Sequence, residues 1–457
     1  MNKLIVFLFI VCHSFSLLFS SQTTEETEKL LIEVSVQNPL QSFYISTFQA
    51  ESAIFSKEYI RKLQNIFRSD LENSGKVALC EVQETLEVSL TQEMEEKAFS
   101  KEFWEKKQVS FVIRPKICSS TLQIDIFLVH SSVMHQFKDI VLSGNLVTDR
   151  LLMHQMSDYI LEYLFGSPGI ASTHILFTKT IPKKGVLPEK WPAEIWEIDY
   201  DGENARQIIS NESLNLTPVY IPSSHTNQKF IFVSYILGQP KIFIASTTKL
   251  GSKPLISLRG NQLLPTVSSQ GDKIAFICDA AGRPDLFLQS LTPANGTTGK
   301  PMQIFSFPKS VTASPTFSPN GNKIAFVCDK EQTPRIYLLD LQKEDSIDNL
   351  ICITKKNREN TAPNWSPDGK KIAYSAKTNG IRQIWIYDLE NGEEIQITSG
   401  SNHKENPFFA PNSFHIVYNT TGEESHLYIV DTCRKISKKI TKGFEMNHYP
   451  AWEPKKK

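Results

Sequence analysis

The chain has 457 residues, 40% of them hydrophobic, and its 49 basic residues balance its 49 acidic residues. This length and apolar content are enough for one large or two ordinary folded domains, which excludes an intrinsically disordered chain. The balanced charge provides no dense basic surface, so we expect no nucleic-acid partner.

The first 21 residues predict a signal peptide. Lys3 precedes an almost unbroken apolar run that ends in small serines, the order found in secretory signals that are removed after export. A retained membrane anchor is the alternative, but His13 and Ser14 interrupt the run, and a lipidated Cys12 would need a smaller residue before it. No later segment reaches the roughly 18 apolar residues of a spanning helix. We therefore expect a mature chain that begins at residue 22 and lies outside the cytoplasm.

Residues 22–168 predict a small α/β domain. A first strand is expected at 42–50, because this run alternates in a β-like pattern. An amphipathic helix is expected over 56–75, with Gly75 near its end. The apolar face of this helix comprises Ile60, Leu63, Phe67 and Leu71.

The rest of this domain predicts helices and a sheet. The charged stretch 84–107 is typical of a solvated helical segment that Trp104 docks against the domain. A second long helix is expected over 148–166, with Thr148 as its N-cap and Gly166 as its C-cap. Three more strands are expected at 109–117, 122–130 and 138–146.

From residue 169 to residue 457 the chain repeats one unit. Each copy begins with a short apolar run that contains a proline, and successive copies lie 43 to 50 residues apart. A period in this range indicates a propeller or a solenoid. The repeated prolines are Pro218, Pro265, Pro315, Pro363, Pro407 and Pro450.

One copy of the unit, residues 363–398, reads PNWSPDGKKIAYSAKTNGIRQIWIYDLENGEEIQIT. Its apolar residues recur with period two in four short runs, which predicts four strands and no helix. Gly321, Gly369 and Gly392 each follow Asn or Asp, as hairpin turns with positive φ require. Four antiparallel strands make one propeller blade.

The two ends of the repeat region complete each other. THILFTKT (173–180), AEIWEIDYDG (193–202) and RQIIS (206–210) supply three strands without a proline-led first strand, whereas PAWEP (450–454) supplies a first strand with nothing behind it. A ring closed by pairing these fragments would hide its sheet edges. A β-helix is disfavoured because its repeats are shorter. A β-sandwich is disfavoured because it would not need six copies of the same unit. The sequence therefore predicts an α+β chain, with an N-terminal small α/β domain followed by a six-bladed β-propeller closed by the C-terminal strand.

The sequence carries no recognisable catalytic or metal motif. It contains no G-x-S-x-G, HExxH, P-loop or EF-hand pattern, and His403, His415, His426 and His448 lie in different blades or loops. We expect no catalytic residue, no metal ligand and no cofactor. Carboxylates that meet only in space leave no motif, so an exported glycan or peptide hydrolase with an active site in the central channel is the alternative.

The residues just before each repeated proline differ much more between units than the strands do. In a propeller these positions gather at one end of the ring, around the mouth of the channel. Variable segments on a rigid scaffold are typical of binding surfaces. The sequence therefore predicts a partner-binding rim at this end.

Three motifs resemble the TolB family of periplasmic proteins of the Tol-Pal cell-envelope system. WSPDGKKIAY (365–374) is similar to many propellers. RSDLENSG (68–75) and SDYILEYLFGSPGIASTHILF (157–177) resemble more specific signatures of that family, in its helix and in the linker that leads to its first blade. Together these motifs span most of the chain expected after cleavage.

The resemblance implies a monomeric, non-catalytic periplasmic adaptor that supports envelope integrity and outer-membrane constriction at cell division. It implies that a Pal-type peptidoglycan-associated lipoprotein binds at the channel mouth, and that a TolA-type inner-membrane protein binds an N-terminal strand segment. The residues expected at the Pal-type site are Asn261, Leu264, Ala313, Thr361, Asn406 and His448. Those expected at the TolA-type site are Leu30, Leu31, Ile32, Glu33, Val34 and Val36.

Overall fold

The computed structural model describes residues 40–95, 99–187, 190–222, 228–292, 296–343, 350–443 and 445–455. The predicted signal peptide and the predicted TolA-type segment lie outside these residues. Among the helices in the described ranges, none has the length and apolar character to cross a membrane.

The N-terminal domain is built on a six-stranded mixed sheet. The order of its strands is β3-β1-β4-β5-β6. The remaining strand, β2, pairs with β4 along the same edge that β1 occupies. The strand expected at 42–50 is divided into β1 and β2, which both run parallel to β4, and the strands expected at 109–117 and 122–130 form close to those positions as β4 and β5. The strand expected at 138–146 was placed too late: β6 covers Val133–Val141, because Asp149 binds the backbone N–H groups of Ser143 and Gly144 in the turn that leads into the next helix. The strands are β1 (Gln41–Ile45), β2 (Gln49–Ala53), β3 (Val77–Leu79), β4 (Phe111–Ser119), β5 (Thr121–Leu128) and β6 (Val133–Val141).

Two long helices pack against this sheet. As predicted, the first helix buries its apolar face against the sheet, where Leu63, Phe67 and Leu71 are fully covered. Trp104 is also buried, so the charged segment docks as expected. The helices are α1 (Lys57–Glu72), α2 (Glu84–Glu95), α3 (Lys101–Lys106) and α4 (Leu146–Phe165).

Helix α4 begins earlier than the sequence predicts. Its N-cap is Asn145, not Thr148: the Asn145 side chain accepts the backbone N–H of Val147 at 2.9 Å and that of Thr148 at 3.4 Å. Thr148 therefore lies in the first turn of the helix. The predicted C-cap is confirmed, since Gly166 adopts the left-handed conformation with φ of 65°.

The propeller consists of six four-stranded antiparallel sheets, or blades. Blade 6 takes three strands from the start of the region: β7 (His174–Thr180), β8 (Ala193–Asp199) and β9 (Arg206–Gln207). Blade 1 comprises β10 (Asn215–Tyr220), β11 (Lys229–Ser234), β12 (Lys241–Ser246) and β13 (Ser252–Pro254). Blade 2 comprises β14 (Gln262–Val267), β15 (Lys273–Cys278), β16 (Asp285–Thr292) and β17 (Gly296–Phe305).

The other three blades follow the same order. Blade 3 comprises β18 (Thr312–Phe317), β19 (Lys323–Cys328), β20 (Arg335–Asp340) and β21 (Ile351–Cys352). Blade 4 comprises β22 (Asn360–Trp365), β23 (Lys371–Thr378), β24 (Ile381–Asp388) and β25 (Glu394–Gln396). Blade 5 comprises β26 (His403–Phe409), β27 (His415–Thr421), β28 (Leu427–Asp431) and β29 (Ser437–Lys439).

The ring closes as predicted. The strand β30 (Asn447–Trp452) is the first strand of blade 6 and pairs antiparallel with β7, with Trp452 opposite Ile175. The pairing extends past the strand, because the backbone N–H of Glu453 donates to the carbonyl of His174 at 2.9 Å. Closure leaves no blade with an unpaired inner strand among the described residues.

The N-terminal domain packs on one end of the ring. Its contacts fall on turns of blades 5 and 6: the Lys76 ammonium lies 4.0 Å from the centre of the Phe414 ring, and the Tyr200 hydroxyl donates to Asp70 at 2.5 Å. We call the other end the open end. It comprises the starts of the six first strands and the turns that join the second and third strands of each blade.

Candidate partner-binding surface

The residue before each repeated proline has an unusual backbone conformation. In all six blades its φ lies between 47° and 53°, although none of these residues is glycine. In each blade the strand register shifts at this position, as in a β-bulge. The six residues are Thr217, Leu264, Ser314, Ala362, Asn406 and Tyr449.

The proline accounts for part of this conformation. A residue before proline is kept out of the right-handed helical region, so a bend at this position must use another region. The left-handed region costs an L-residue about 1–2 kcal/mol, and six copies of this strain are retained around the ring. The bulges place a ring of six X-Pro pairs around the channel.

These pairs line a small cavity on the channel axis. Its volume is about 110 Å³, and every blade contributes its positive-φ residue and its proline to the wall. The other lining residues are Val219, Thr266, Thr316, Asn364 and Phe408. Among the described residues of this wall there is no carboxylate, no histidine and no lysine or arginine.

The predicted Pal-type residues occupy three different positions in their blades. Leu264 and Asn406 lie at the positive-φ position and line the cavity. Ala313, Thr361 and His448 each lie one residue before that position, at the start of a first strand. They are half-buried.

Asn261 lies just before β14 and is fixed by a carboxylate. Its backbone N–H and its side-chain amide donate to the two oxygens of Asp279 at 2.7 and 2.8 Å. Val311, at the equivalent place in blade 3, donates its backbone N–H to Asp329 at 2.7 Å. Asp279 and Asp329 thus hold the entry to the first strand in place in two neighbouring blades.

An ion-pair network surrounds Thr361. The Arg382 guanidinium lies 3.1 Å from Glu359 and 3.3 Å from Glu405, and it donates to the Thr361 hydroxyl at 3.3 Å. Lys377 pairs with the same Glu359 at 3.0 Å. The rim between blades 4 and 5 is therefore polar and held in one arrangement.

Blades 5 and 6 add uncharged polar groups. The Asn406 amide donates to Asn419 at 2.9 Å, and His448 Nδ1 lies 3.3 Å from the Ser425 hydroxyl. Burial lowers the pKa of His448, which keeps its imidazole neutral at pH 7. This part of the rim offers hydrogen bonds without net charge.

The open end also exposes apolar side chains that sequence reasoning missed. Ile236 and Leu237, in the turn between β11 and β12, are 49% and 59% exposed. Val311, before β18, and Val186 and Leu187, between β7 and β8, are exposed at the same end. The signal was present in the sequence as apolar residues within connections, where turn-forming polar residues are usual.

Comparison with known proteins shows to which family this architecture belongs. A family model described as the TolB beta propeller domain matches residues 161–456. The chain belongs to the TolB family. The resemblance found in the sequence is thereby confirmed.

Curated relatives within the TolB family support this assignment. The Protein TolB homolog of Protochlamydia amoebophila is 40% identical over 308 residues, a match that covers 67% of this chain and 65% of that protein. The Protein TolB homolog of Chlamydia felis is 37% identical over 171 residues, which cover 37% of this chain and 39% of that protein. Both matches therefore span less than two thirds of the relatives' own length.

A solved structure of a TolB protein has the same fold. The crystal structure of TolB from Acinetobacter baumannii superposes with a TM-score of 0.71 at 20% identity, and the match covers 92% of this chain and 98% of that one. At this identity the likeness concerns the fold alone. It agrees with the N-terminal α/β domain and the six-bladed propeller described above.

Proposed function

We propose that this chain is a non-catalytic adaptor of the periplasm. In this proposal the open end of the ring binds a Pal-type lipoprotein, and residues 30–36 bind a TolA-type inner-membrane protein. The observation that carries the proposal is the division of the ring into two ends. The N-terminal domain packs on one end, whereas the other presents the rim residues and the apolar turns.

The composition of the open end supports a protein partner. Clustered exposed apolar side chains with a polar surround are characteristic of protein-binding surfaces. Ile236 and Leu237 supply the apolar part in blade 1, and the Arg382 network supplies fixed charges in blades 4 and 5. A partner that inserts apolar groups near blade 1 would find paired polar groups on the opposite side of the channel.

The wall of the axial cavity favours the adaptor over the hydrolase. Hydrolysis of glycans or peptides in the channel would need a carboxylate pair or a nucleophile with its base close to the substrate. The described wall instead carries prolines, hydroxyls, amides and apolar groups. A wall of this kind can bind a partner, but its described residues offer no carboxylate pair and no histidine or lysine to act as a base.

The N-terminal segment would act by strand addition. Its sequence, LLIEVSV (30–36), has the alternation of a strand, and strand addition depends on main-chain hydrogen bonds more than on side-chain identity. In the proposal this segment exchanges between a position on its own protein and a free state, and Pal-type binding shifts that balance. Such coupling would link the outer-membrane side of the envelope to the inner membrane and support constriction at cell division.

A pull-down from envelope extract tests the proposal. We expect the purified chain 22–457 to capture a peptidoglycan-associated lipoprotein and an inner-membrane protein, each identified by mass spectrometry. A matched chain that lacks residues 22–39 should still capture the lipoprotein but not the inner-membrane protein. If the chain captures neither partner, or releases products from cell-wall fragments, the adaptor proposal is wrong.

A further inference from the structure

One histidine and two aspartates meet where the N-terminal domain joins the propeller. His154 comes from α4, Asp199 is the last residue of β8, and Asp201 lies in the turn between β8 and β9. One ligand atom of each residue lies within 4.8 Å of the others, and His154 Nε2 lies 3.8 Å from an oxygen of Asp201. The partner-binding proposal above does not involve this cluster.

The His154 ring is held through one nitrogen, and its other nitrogen lies near the two aspartates. Its Nδ1 lies 2.8 Å from a carboxylate oxygen of Asp70, so in the neutral imidazole Nδ1–H would donate to Asp70 and Nε2 would present a lone pair. Histidines that bind metals almost always donate their other ring N–H in this way. His154 is 2% exposed, and its Nε2 has no hydrogen-bond partner among the described residues.

Asp70 is itself held in position. The hydroxyl of Tyr200 donates to one of its oxygens at 2.5 Å, and the hydroxyl of Ser157 lies 3.2 Å from the other. Asp70 can therefore fix the orientation of the His154 ring. A buried imidazole nitrogen that is oriented but unpaired needs a partner, because an unsatisfied buried polar atom is costly.

The two aspartates are fixed by a tight turn. Gly202 follows them with φ of 92°, and a Cβ at this position would lie 2.1 Å from the carbonyl oxygen of Ile440, so only glycine fits. Asp199 accepts from the amide of Asn204 at 2.7 Å, and Asp201 accepts from the backbone N–H of Glu203 at 3.2 Å.

Two basic side chains also face these carboxylates. Arg150 pairs with Asp201, and His174 Nε2 lies 3.5 Å from Asp199. A carboxylate has about four acceptor sites, so each aspartate keeps lone pairs for a further ligand.

We propose that His154 Nε2, Asp199 and Asp201 bind a divalent metal ion of the zinc class. One imidazole nitrogen with two carboxylate oxygens suits this class, whereas calcium and magnesium prefer oxygen ligands alone. Zinc binds such ligands at about 2.0–2.2 Å, so the three groups must move slightly closer together. The bound ion would tie α4 to the β8–β9 turn and hold the two domains together.

Arg150 provides a specific prediction. Its guanidinium pairs with Asp201, so its positive charge competes with a metal ion for the same carboxylate. Removal of this charge by Arg150→Gln should strengthen metal binding. A purely structural ion-pair cluster would instead lose stability and gain no affinity for a metal.

Calorimetric titration of the chain 22–457 with Zn²⁺ tests the proposal. We expect one Zn²⁺ per chain, no competition by excess Ca²⁺, and loss of binding in His154→Gln and in Asp199→Asn. Asp70→Asn keeps the shape of the side chain but removes the charge that accepts the hydrogen bond from His154 Nδ1. This change should lower the affinity for Zn²⁺ by about 10- to 100-fold. His130→Gln removes a histidine that is 83% exposed and should leave binding unchanged.

Circular dichroism of each variant separates loss of binding from loss of folding. If His154→Gln does not fold, Asp199→Asn decides, because it keeps the size and shape of the side chain at the end of β8. Absence of stoichiometric Zn²⁺ binding overturns the proposal. So does wild-type affinity in a folded His154→Gln or Asp199→Asn variant, or weaker binding in Arg150→Gln.

Discussion

Trp452, in β30, donates its indole N–H to the hydroxyl of Thr173 at 2.7 Å, although 279 positions separate the two residues in the chain. The indole is almost fully buried in the apolar cluster between blades 5 and 6, where it packs with Ile175, Phe177 and Leu427. This contact joins the last described strand of the ring to the segment that leads into its first. The Trp452 side chain therefore adds a hydrogen bond and apolar packing to the backbone pairing of β30 with β7.

Trp452→Ala should destabilise the protein strongly. Replacing a buried tryptophan by alanine typically costs about 3–5 kcal/mol, because apolar contacts are lost and a cavity remains. Trp452→Phe keeps most of the packing and loses the hydrogen bond, which should cost about 1 kcal/mol. Urea denaturation followed by tryptophan fluorescence and circular dichroism measures both effects.

The matched control is Ile351→Ala, on the exposed outer strand of blade 3. This change should alter the free energy of unfolding by less than about 0.5 kcal/mol. If Trp452→Ala were as mild as this control, the side chain of Trp452 would not contribute to the stability of the closed ring.

Ring closure was predictable because it follows from counting. The repeat leaves three strands unmatched at one end and one strand at the other, and only one pairing completes six blades. The start of α4 was not predictable in the same way, because Asn145 and Thr148 are both good N-caps. The structure selects Asn145, while the Asp149 carboxylate binds the backbone N–H groups of Ser143 and Gly144 and fixes the preceding turn.

The positive φ of the six residues before the repeated prolines could not be predicted from residue types. A residue before proline normally indicates an extended backbone, and none of the six positions carries the glycine that would signal a left-handed bend. The sequence therefore predicted the end of the ring at which these residues lie, but not the conformation of their backbone. The cluster around His154 was missed because its members meet only when the two domains pack together.

Thr217→Asn should stabilise the protein. Thr217 is β-branched at φ of 49°, and its buried hydroxyl has no hydrogen-bond partner among the described residues. Asparagine tolerates the left-handed region better, so we expect a gain of about 0.5–1 kcal/mol in the free energy of unfolding. Thermal unfolding measures the change. Thr361→Asn, one residue before the positive-φ position of blade 4, should give no gain, and an equal gain there would argue against strain at Thr217.

The stability of the protein should fall in mild acid because of His415. Burial lowers the pKa of this imidazole to about 4, although the neighbouring Asp431 carboxylate acts in the opposite direction and Arg434 lowers the pKa further. The Asn412 side-chain amide lies 3.0 Å from His415 Nδ1, and the backbone of Asn73, from the N-terminal domain, also contacts the ring.

The sign of the pH effect follows from proton binding. An unfolded histidine titrates near about 6.5. Between this value and about 4 the unfolded chain binds a proton that folded His415 excludes. The stability contribution is therefore complete above pH 6.5 and is lost as the pH falls toward 4. Urea denaturation at a series of pH values should show a shallower decline for His415→Gln. His130→Gln should follow the wild-type profile, and an unchanged profile for His415→Gln would rule out this origin of the acid sensitivity.

The affinity of the open end for a Pal-type lipoprotein tests the central claim most directly. Two variants, Leu264→Glu and Ala313→Glu, place a carboxylate in or beside the rim, and Met302→Glu places the same group on β17, at a residue that is 61% exposed. Biolayer interferometry with immobilised lipoprotein should show about 10-fold or greater weakening for each rim variant, because a buried unpaired charge costs more than about 1.4 kcal/mol. Met302→Glu should bind like the wild type. Unchanged affinity in correctly folded rim variants, or equal loss in Met302→Glu, would contradict the assignment of the open end as the binding surface.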